Sequence, residues 1–210
     1  MKNDELYNIW AATYDTNENK TRDLDLKITQ EVLKEYEFEQ VLEIGAGTGK
    51  NTAWLAHKAK HITAIDFSLE MLKLLQQKVK GAAVEIFESD LNQKWPLKDE
   101  QVDLVLANLV LEHIENLEPI FAEAARVMKP QGTFFVSELH PFKQYMGSKA
   151  SFEQNGERVS LNCYVHHISD YIEQAKKAGL HCVKWQEWFD NEDRTKPPRL
   201  VSFIFELATY

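Results

Sequence analysis

The chain has 210 residues, 44% of them hydrophobic, which is enough for a sizeable core without disulfides or metal ions to hold it together. Its 24 Lys and Arg against 33 Asp and Glu give a net charge of −9, which argues against nucleic acid and anionic membrane surfaces as partners. Cys163 and Cys182 are too few for a disulfide scaffold, and no apolar run resembles a signal peptide or a membrane span. We therefore expect one domain over residues 1–210, in the cytoplasm, as a monomer or homodimer.

Short apolar runs alternate with amphipathic segments along the first two thirds of the chain. The apolar runs predict five strands, at residues 40–45, 61–67, 84–89, 102–106 and 133–138. Helices are predicted between them at residues 52–59, 68–79 and 117–128, with Ser68 as an N-cap and Pro130 just beyond the third helix. This alternation predicts βαβ units and a doubly wound, mainly parallel α/β sheet.

The last third departs from this alternation. A helix predicted at 168–178 ends at Gly179, and two strands follow, at 181–189 and 200–207, with only a polar, turn-prone segment between them. Without a crossover helix, these two strands are expected to form an antiparallel pair at the sheet edge. The first 35 residues are predicted to form one or two helices.

Three of the eight glycines lie in one octapeptide, Glu43-Ile-Gly-Ala-Gly-Thr-Gly-Lys50, between the first strand and the next helix. Glycines let the chain turn sharply and bring bare backbone N–H groups close to a ligand. The phosphate-binding P-loop pattern fails, because Ile44 and Asn51 stand where it needs glycine and Ser or Thr. The dinucleotide pattern fits badly, because Lys50 stands at its third glycine. The pattern that remains is Glu-x-Gly-x-Gly-x-Gly.

With this pattern and the residues after the next three strands, the chain resembles the class I S-adenosylmethionine (SAM) methyltransferases, most strongly over about residues 36–140. In that family an acidic residue at the end of the second strand accepts both ribose hydroxyls, and Asp66 stands there, 17 residues beyond Gly49. Asp90-Leu91 follows the third strand, where the family binds adenine, and Asn108-Leu109 follows the fourth, beside the methionine part. The resemblance implies a Rossmann-like sheet of seven strands with a final antiparallel strand, and SAM as the cofactor.

The chemistry of SAM gives each candidate residue a role. SAM joins an amino acid through a sulfonium to adenosine, so it needs an ammonium acceptor, a carboxylate donor, a diol acceptor and an adenine slot. Glu43 is expected to orient the turn or to reach the ammonium through water. Phe67 and Met71 are expected to sandwich the adenine with Leu91, with core packing as the alternative; for Asp66 the alternative is a charge at a helix N-terminus. The candidate cofactor-binding residues are Tyr14, Arg22, Glu43, Gly45, Ala46, Gly47, Asp66, Phe67, Met71, Asp90, Leu91, Asn108 and Leu109.

The segment Ile9–Asp15 resembles a stretch of the methyltransferases that act on biotin precursors and quinones, where it belongs to a helical lid over the cofactor. This resemblance implies that residues 1–35 form a lid. Arg22 is then expected to bind the SAM carboxylate through a bidentate pair, and Tyr14 to donate to that carboxylate or close the methyl channel. The alternative is that Trp10 and Tyr14 pack the helix while Arg22 stays in solvent.

Residues 142–165, polar with scattered aromatic side chains, are expected to form a cap on the acceptor side. Because ligands of open α/β sheets bind outside the carboxyl ends of the strands, His140 is expected near the transferred methyl. The candidate catalytic residues are His140, Tyr145, His166 and His167, since histidine can take a proton near neutral pH. The alternatives are a loop hydrogen bond for His140 and helix capping or exposure for the His166–His167 pair. A zinc site built from these histidines and Cys163 matches no established ligand spacing, so no metal is expected.

Two further features narrow the acceptor. Leu-Val-Leu follows Asn108 in place of the Pro-Pro-Tyr of enzymes that methylate nucleobase or amide nitrogens, and the chain has no Pro-Cys pair for attack on cytosine. The sequence therefore predicts methyl transfer from SAM to a small molecule by in-line displacement, leaving S-adenosylhomocysteine (SAH). A noncatalytic SAM- or SAH-binding subunit is one alternative, and a nicotinamide-dependent oxidoreductase is a less favoured one.

Overall fold

The computed structural model describes residues 2–207 and builds them around a seven-stranded sheet. Its strands are β1 Gln40–Ile44, β2 His61–Asp66, β3 Val84–Glu88, β4 Val102–Asn108, β5 Met128–Leu139, β8 Leu180–Trp188 and β9 Leu200–Leu207, and a separate hairpin holds β6 Ser151–Gln154 and β7 Glu157–Ser160. The helices are α1 Asn3–Tyr14, α2 Lys20–Leu33, α3 Lys50–Leu55, α4 Leu69–Lys78, α5 Glu118–Val127, α6 Pro141–Tyr145 and α7 Ile168–Lys177. No helix within residues 2–207 is long and apolar enough to cross a membrane.

The strand order is β3-β2-β1-β4-β5-β9-β8. The first five strands in this order are parallel, and β9 runs antiparallel to both β5 and β8. The doubly wound, mainly parallel sheet with a final antiparallel strand is therefore confirmed. The antiparallel pair does lie at one end of the sheet, with β8 as the edge strand and β9 inserted beside β5.

The largest differences from the expected elements are two boundaries and one hairpin. β5 begins five residues early because Met128 pairs with Val102 across a bulge. α3 is shorter than expected, since the chain turns after Leu55 and the N–H groups of residues 60 and 61 both donate to the Glu39 carbonyl. The hairpin of β6 and β7 was not predicted, although Asn155-Gly156, which has positive φ at both residues, is a strong hairpin signal.

Both faces of the sheet are covered by helices. α2 and α3 pack on one face through Ile28, Leu33 and Leu55. α5 and α7 pack on the other, where the Phe121 ring meets Phe134 edge-on at 5.3 Å between centroids. Burial on both faces explains why these strands read as nearly continuous apolar runs, and it leaves the strand ends as the place for polar side chains.

A smaller cluster joins α1 to the hairpin. Trp10 stacks on Phe152 with 5.3 Å between ring centroids and 17° between their planes, and Leu6, Met71 and Leu161 complete the contact. The two segments expected to form a lid and an acceptor-side cap therefore pack on each other.

Phe152→Ala should loosen this contact. Phe152 is only 6% exposed, and loss of a buried Phe side chain costs about 3–5 kcal/mol, so we expect a lower free energy of unfolding in urea and faster tryptic cleavage in the hairpin. Glu153→Ala, at the exposed neighbouring position, is the control and should change stability by less than about 0.5 kcal/mol. Equal stability of the two variants would show that the hairpin does not depend on α1.

Candidate functional site

The glycine-rich turn leaves β1 with three residues in the left-handed region. Gly45, Gly47 and Gly49 have φ of +66°, +53° and +80°. A Cβ at Gly45 would lie 2.3 Å from Val110 Cγ2, whereas a Cβ at Gly47 would meet no atom within 4 Å. Gly45 therefore permits close packing of the turn on the segment after β4, while bare backbone at Gly47 borders open space.

Asp66, the last residue of β2, ties this turn to the start of α4. Its Oδ2 accepts from the Gly47 N–H at 2.8 Å and its Oδ1 from the Ser68 N–H at 2.8 Å. Ser68 in turn caps α4 by accepting from the Met71 N–H, as predicted. Burial raises the pKa of Asp66 to about 6, and the backbone N–H bonds only partly offset that effect.

A cavity of about 340 Å³ lies between this turn, α2 and the end of β4. One part of its wall is rich in acceptors. Asp25 Oδ1 accepts from Asn108 Nδ2 at 2.7 Å, and Glu43 Oε2 accepts from Thr52 Oγ1 at 2.6 Å. Within residues 2–207, the buried amide oxygens of Asn51 and Asn108 have no donor. This wall is therefore suited to a ligand group that brings its own N–H donors.

Burial also shapes the protonation of this wall. It raises the pKa of Asp25 to about 6 and that of Glu43 to about 8, and for Glu43 the nearby Asp25 and Asp66 charges add to the rise. A cation next to these carboxyls would favour their ionised forms. The electrostatics of the wall thus favour a positively charged group.

Cationic side chains line another part of the same cavity. Lys50 Nζ lies 2.7 Å from Asp23 Oδ1, and Lys78 Nζ lies 2.7 Å from Asp15 Oδ2. Lys50, which stands at the third glycine of a dinucleotide motif, therefore connects the turn to α2 through an ion pair with Asp23. One cavity thus presents acidic and basic regions to the same space.

Arg22 stands where this cavity meets the loop after α1. Its guanidinium carbon lies 3.9 Å from the centroid of the Tyr14 ring, and its N–H groups donate to the carbonyls of Tyr14 and Asn17. Its buried Nε has no acceptor among the described residues. The alternative of a fully solvated Arg22 is therefore wrong, and the stacking holds its charge beside the cavity.

Two more cavities continue along the carboxyl ends of the strands. A narrow one of about 40 Å³ lies under Tyr7 and Tyr14 of α1 and is bordered by Asp66. It leads to a wider one of about 490 Å³ beside Phe67 and the segment after β3. The Tyr7 hydroxyl lies 2.8 Å from Nε2 of His113, a residue that borders both cavities. We call these, with the first, the three joined cavities, because neighbouring ones share lining residues.

Every predicted cofactor-binding residue lines at least one of the three joined cavities, so the structure brings the whole set together. Their individual roles stay predictions. Sequence reasoning missed Asp25, Asn51, Tyr7 and His113. A signal for Asp25 was present, because it shares a helix face with the buried Ile28 and Thr29 at the i+3 and i+4 positions.

A fourth cavity of about 220 Å³ is also bordered by α1, through Tyr7, Trp10 and Tyr14. It shares Tyr14, Arg22 and Leu109 with the first of the joined cavities. Glu112, 7% exposed, is the one acidic residue that borders it in the described chain. Its lining residues are Tyr7, Trp10, Tyr14, Asn19, Thr21, Arg22, Leu109, Glu112, Leu139, Ser148, Lys149, Ala150, Ser151 and Arg158.

The four predicted catalytic residues border none of the cavities described above. His140 caps α6, with its Nδ1 accepting from the Phe142 N–H at 3.1 Å and its Nε2 lying 3.1 Å from Glu187 Oε1. This is the loop hydrogen bond that was the alternative, and burial lowers the pKa of His140. The expectation that the end of β5 directs His140 at the ligand is not supported, because the ring is held by its own loop.

The other three occupy surface positions. Tyr145 is 66% exposed, and its hydroxyl lies 3.0 Å from His167 Nε2. His167 also caps α7, donating its backbone N–H to Asp170 Oδ2 at 2.7 Å, as the capping alternative expected. His166 Nε2 lies 2.7 Å from the Ile114 carbonyl. These contacts account for each side chain without a ligand.

Cys163 lies apart from the histidines considered with it for zinc. The Cys163 sulfur instead lies close to Glu112 and His113. The potential ligand atoms of these three residues lie within 4.8 Å of one another. Both ring nitrogens of His113 have hydrogen-bond partners, the Tyr7 hydroxyl at 2.8 Å and the Asn162 carbonyl at 3.0 Å. Burial raises the pKa of Cys163 to about 12, so the thiol stays protonated at neutral pH.

Known proteins match both the sequence and the fold. Residues 42–136 match a family described as a methyltransferase domain. The chain is 29% identical, over 84% of its length, to a biotin biosynthesis bifunctional protein, BioHC, of Cellvibrio japonicus, and covers 34% of it. It is 34% identical, over 49% of its length, to a demethylmenaquinone methyltransferase of Tropheryma whipplei, and covers 43% of it. The chain thus spans less than half the length of these two relatives.

The fold recurs in a crystal structure of a putative S-adenosylmethionine dependent methyltransferase from Listeria monocytogenes. The two share 20% sequence identity with a TM-score of 0.73, and the match covers 88% of this chain and 98% of that one. At this identity the comparison speaks for the fold. Together with the family match and the relatives, it supports the resemblance to the class I, SAM-dependent methyltransferases that the motifs predicted.

Proposed function

We propose that the chain transfers a methyl group from SAM to a small-molecule acceptor, with SAM in the three joined cavities and the acceptor in the fourth. The observation that carries this proposal is the shared wall: Tyr14, Arg22 and Leu109 border both the methionine-end cavity of about 340 Å³ and the fourth cavity. A methyl group held at that wall is within reach of a molecule on its other side.

The side chains that line these cavities match the groups of SAM. The acceptor-rich wall around Asp25 and Asn108 suits the ammonium, and the cationic region around Arg22 suits the carboxylate of the same amino acid. Asp66 borders the narrow central cavity, where it can accept from the ribose hydroxyls, and Phe67 borders the widest one, where adenine fits. A zwitterionic ligand is favoured by a cavity with separate acidic and basic regions.

The central cavity sets a condition on entry. Its volume of about 40 Å³ holds roughly three water molecules, which is less than a ribose needs. Tyr7 and Tyr14 occupy the remaining space. SAM binding therefore requires these side chains of α1 to shift, which gives a physical meaning to the lid expected from residues 1–35.

SAM supplies a methyl group on a sulfonium, whose sulfur leaves as a neutral thioether. The chain's part is to hold the acceptor atom in line with the carbon–sulfur bond, so that the new bond to the methyl carbon forms as the old bond breaks. Leu109 and the Tyr14 ring border both cavities and give their shared wall an apolar part. If the attacking atom carries a proton, Glu112 is placed to take it, because its carboxylate borders the acceptor cavity.

Glu112 is held for that task by neighbouring segments. Its Oε2 accepts from Gln144 Nε2 at 3.3 Å, and its backbone carbonyl accepts from the Tyr164 N–H at 2.7 Å. Both partners belong to the expected cap of residues 142–165. The cap would therefore act by orienting Glu112, while the histidines and Tyr145 within and beside it do not reach the cavity.

Asp66→Asn tests the cofactor site. The substitution keeps the size of the side chain but removes the charge that would accept two ribose hydroxyls, so we expect SAH affinity to weaken at least about tenfold by calorimetry. Asp99→Asn, at an exposed position outside the cavities, should leave the affinity unchanged. Unchanged SAH affinity in Asp66→Asn would place Asp66 outside the cofactor site, and no SAH binding by the unmodified protein would contradict the proposed function.

SAH affinity should also depend on pH. In the free protein burial holds the pKa of Asp25 and Asp66 at about 6, above the usual value, so a ligand that needs ionised carboxylates must displace protons below that pH. The affinity should fall as pH decreases from 7.5 to 5, by up to about tenfold per unit for each group, and Asp66→Asn should flatten the fall. The same raised pKa values also affect folding. Because both groups bind protons more tightly in the ligand-free folded protein than in the unfolded chain, they stabilise the fold against unfolding as pH falls through 6 towards 4. A pH-independent affinity would argue against both carboxylates.

Glu112→Gln should separate transfer from cofactor binding. With an acceptor that must lose a proton, we expect turnover to fall about 10²-fold or more while SAH affinity stays within twofold. His140→Asn is the matched comparison, and it should keep turnover because His140 borders no cavity. The assignment of Glu112 is wrong if His140→Asn loses turnover and Glu112→Gln does not.

A further inference from the structure

The fourth cavity differs in charge from the molecule as a whole. The chain carries a net charge of −9. The residues that border this cavity nevertheless include three basic ones, Arg22, Lys149 and Arg158, and one acidic one, Glu112. Glu112 is buried, whereas Lys149 and Arg158 are exposed. The exposed rim of the cavity is therefore basic, whereas its less exposed part holds the Glu112 carboxyl together with Arg22 of the shared wall.

The rim cations keep donors to spare. Lys149 makes no ion pair with any residue in the described part of the chain. Arg158 uses its Nε to donate to Ser151 Oγ at 3.0 Å, which leaves its two terminal amino groups free to bind a ligand. Hydroxyls of Ser148 and Ser151 border the same space. Such a group of donors matches an anionic oxygen ligand, because guanidinium and ammonium groups bind carboxylate and phosphate through charge-assisted hydrogen bonds.

We propose that the methyl acceptor is an anionic small molecule, whose carboxylate or phosphate binds Lys149 and Arg158 while its reacting atom points inward to Glu112 and the wall shared with SAM. The proposal rests on the proposed function, since it names the substrate class of the acceptor cavity. The two exposed cations at the rim and the buried Glu112 carboxyl set the orientation. An acidic group at the inner end would meet the Glu112 carboxylate, and like charges repel there.

The cationic rim also gives the hairpin a function. Arg158 lies on β7, and Lys149 lies two residues before β6. The hairpin is held on α1 by the stacking of Trp10 on Phe152. The contact between Trp10 and Phe152, which packs the expected cap on the expected lid, thus also positions the cations that would bind the acceptor.

The test uses protein saturated with SAH, so that anions cannot bind in the methionine-end cavity. Inorganic phosphate and malonate are titrated separately at constant ionic strength, with uncharged malonamide as the neutral comparison, and binding is followed by calorimetry. The variant is Lys149→Glu with Arg158→Glu. The control is Lys80→Glu with Lys184→Glu, two exposed lysines outside the cavities that give the same change in net charge.

We expect at least one of the two anions to bind the unmodified and control proteins. In the charge-reversed variant the affinity for that anion should be lower by about tenfold or more. Malonamide should not bind. The phosphate and malonate arms then tell which acidic group the rim prefers. SAH affinity should stay within twofold in every variant, which checks that the variants fold.

Three results would overturn the proposal: no anion binding to the SAH-bound protein, equal anion binding in the charge-reversed variant, or methyl transfer from labelled SAM that is confined to neutral or cationic acceptors. Failure of the unmodified protein to bind SAH would contradict the proposed function as well, whereas SAH binding without anion binding contradicts only the substrate class.

Discussion

The site depends on one buried carboxylate. Asp66 joins the glycine-rich turn to the first residues of α4, since its two oxygens accept one N–H from each. Without it, the helix would have a buried N–H without an acceptor, and the turn would lose the acceptor of the Gly47 N–H, at the carboxyl ends of the strands. Burial makes the charged form of Asp66 costly, and the two backbone donors offset only part of that cost. A ligand that brings further donors would lower that cost, which couples local stability to ligand binding.

The remaining buried acids follow the same constraint. Asp25 and Glu43 reach the same region from α2 and β1, and side-chain hydroxyl and amide groups bond to them in place of arginine or lysine. Polar partners hold a carboxyl in place without supplying a positive charge, so the space between them keeps its attraction for a cation. In the fourth cavity, exposed basic side chains produce the reverse condition. The two sides of the shared wall would therefore select chemically different molecules.

Local sequence patterns predicted the sheet and most of its helices, because apolar periodicity, the Ser68 cap and the proline after α5 act within a few residues. They also indicated residues that line the three joined cavities, since a motif at a strand end fixes the place of its side chains. The acceptor side depends on packing between distant segments, which one sequence does not display. His140 shows the limit: the position of a residue at a strand end follows from the pattern, whereas the direction of its ring depends on Phe142 and Glu187. Glu112 was not singled out because its placement depends on contacts with the segment after β5.

The placement of β9 has a consequence for the order of assembly. β9 is the last strand along the chain, yet it lies inside the sheet, with β5 on one side and β8 on the other. During synthesis, β8 has no neighbour to pair with until Leu200–Leu207 has left the ribosome, and one side of β5 stays open until then. Loss of these eight residues would remove an interior strand and detach β8 from the sheet. The final segment therefore completes the sheet that carries every cavity, although it borders none of the four that concern the ligands.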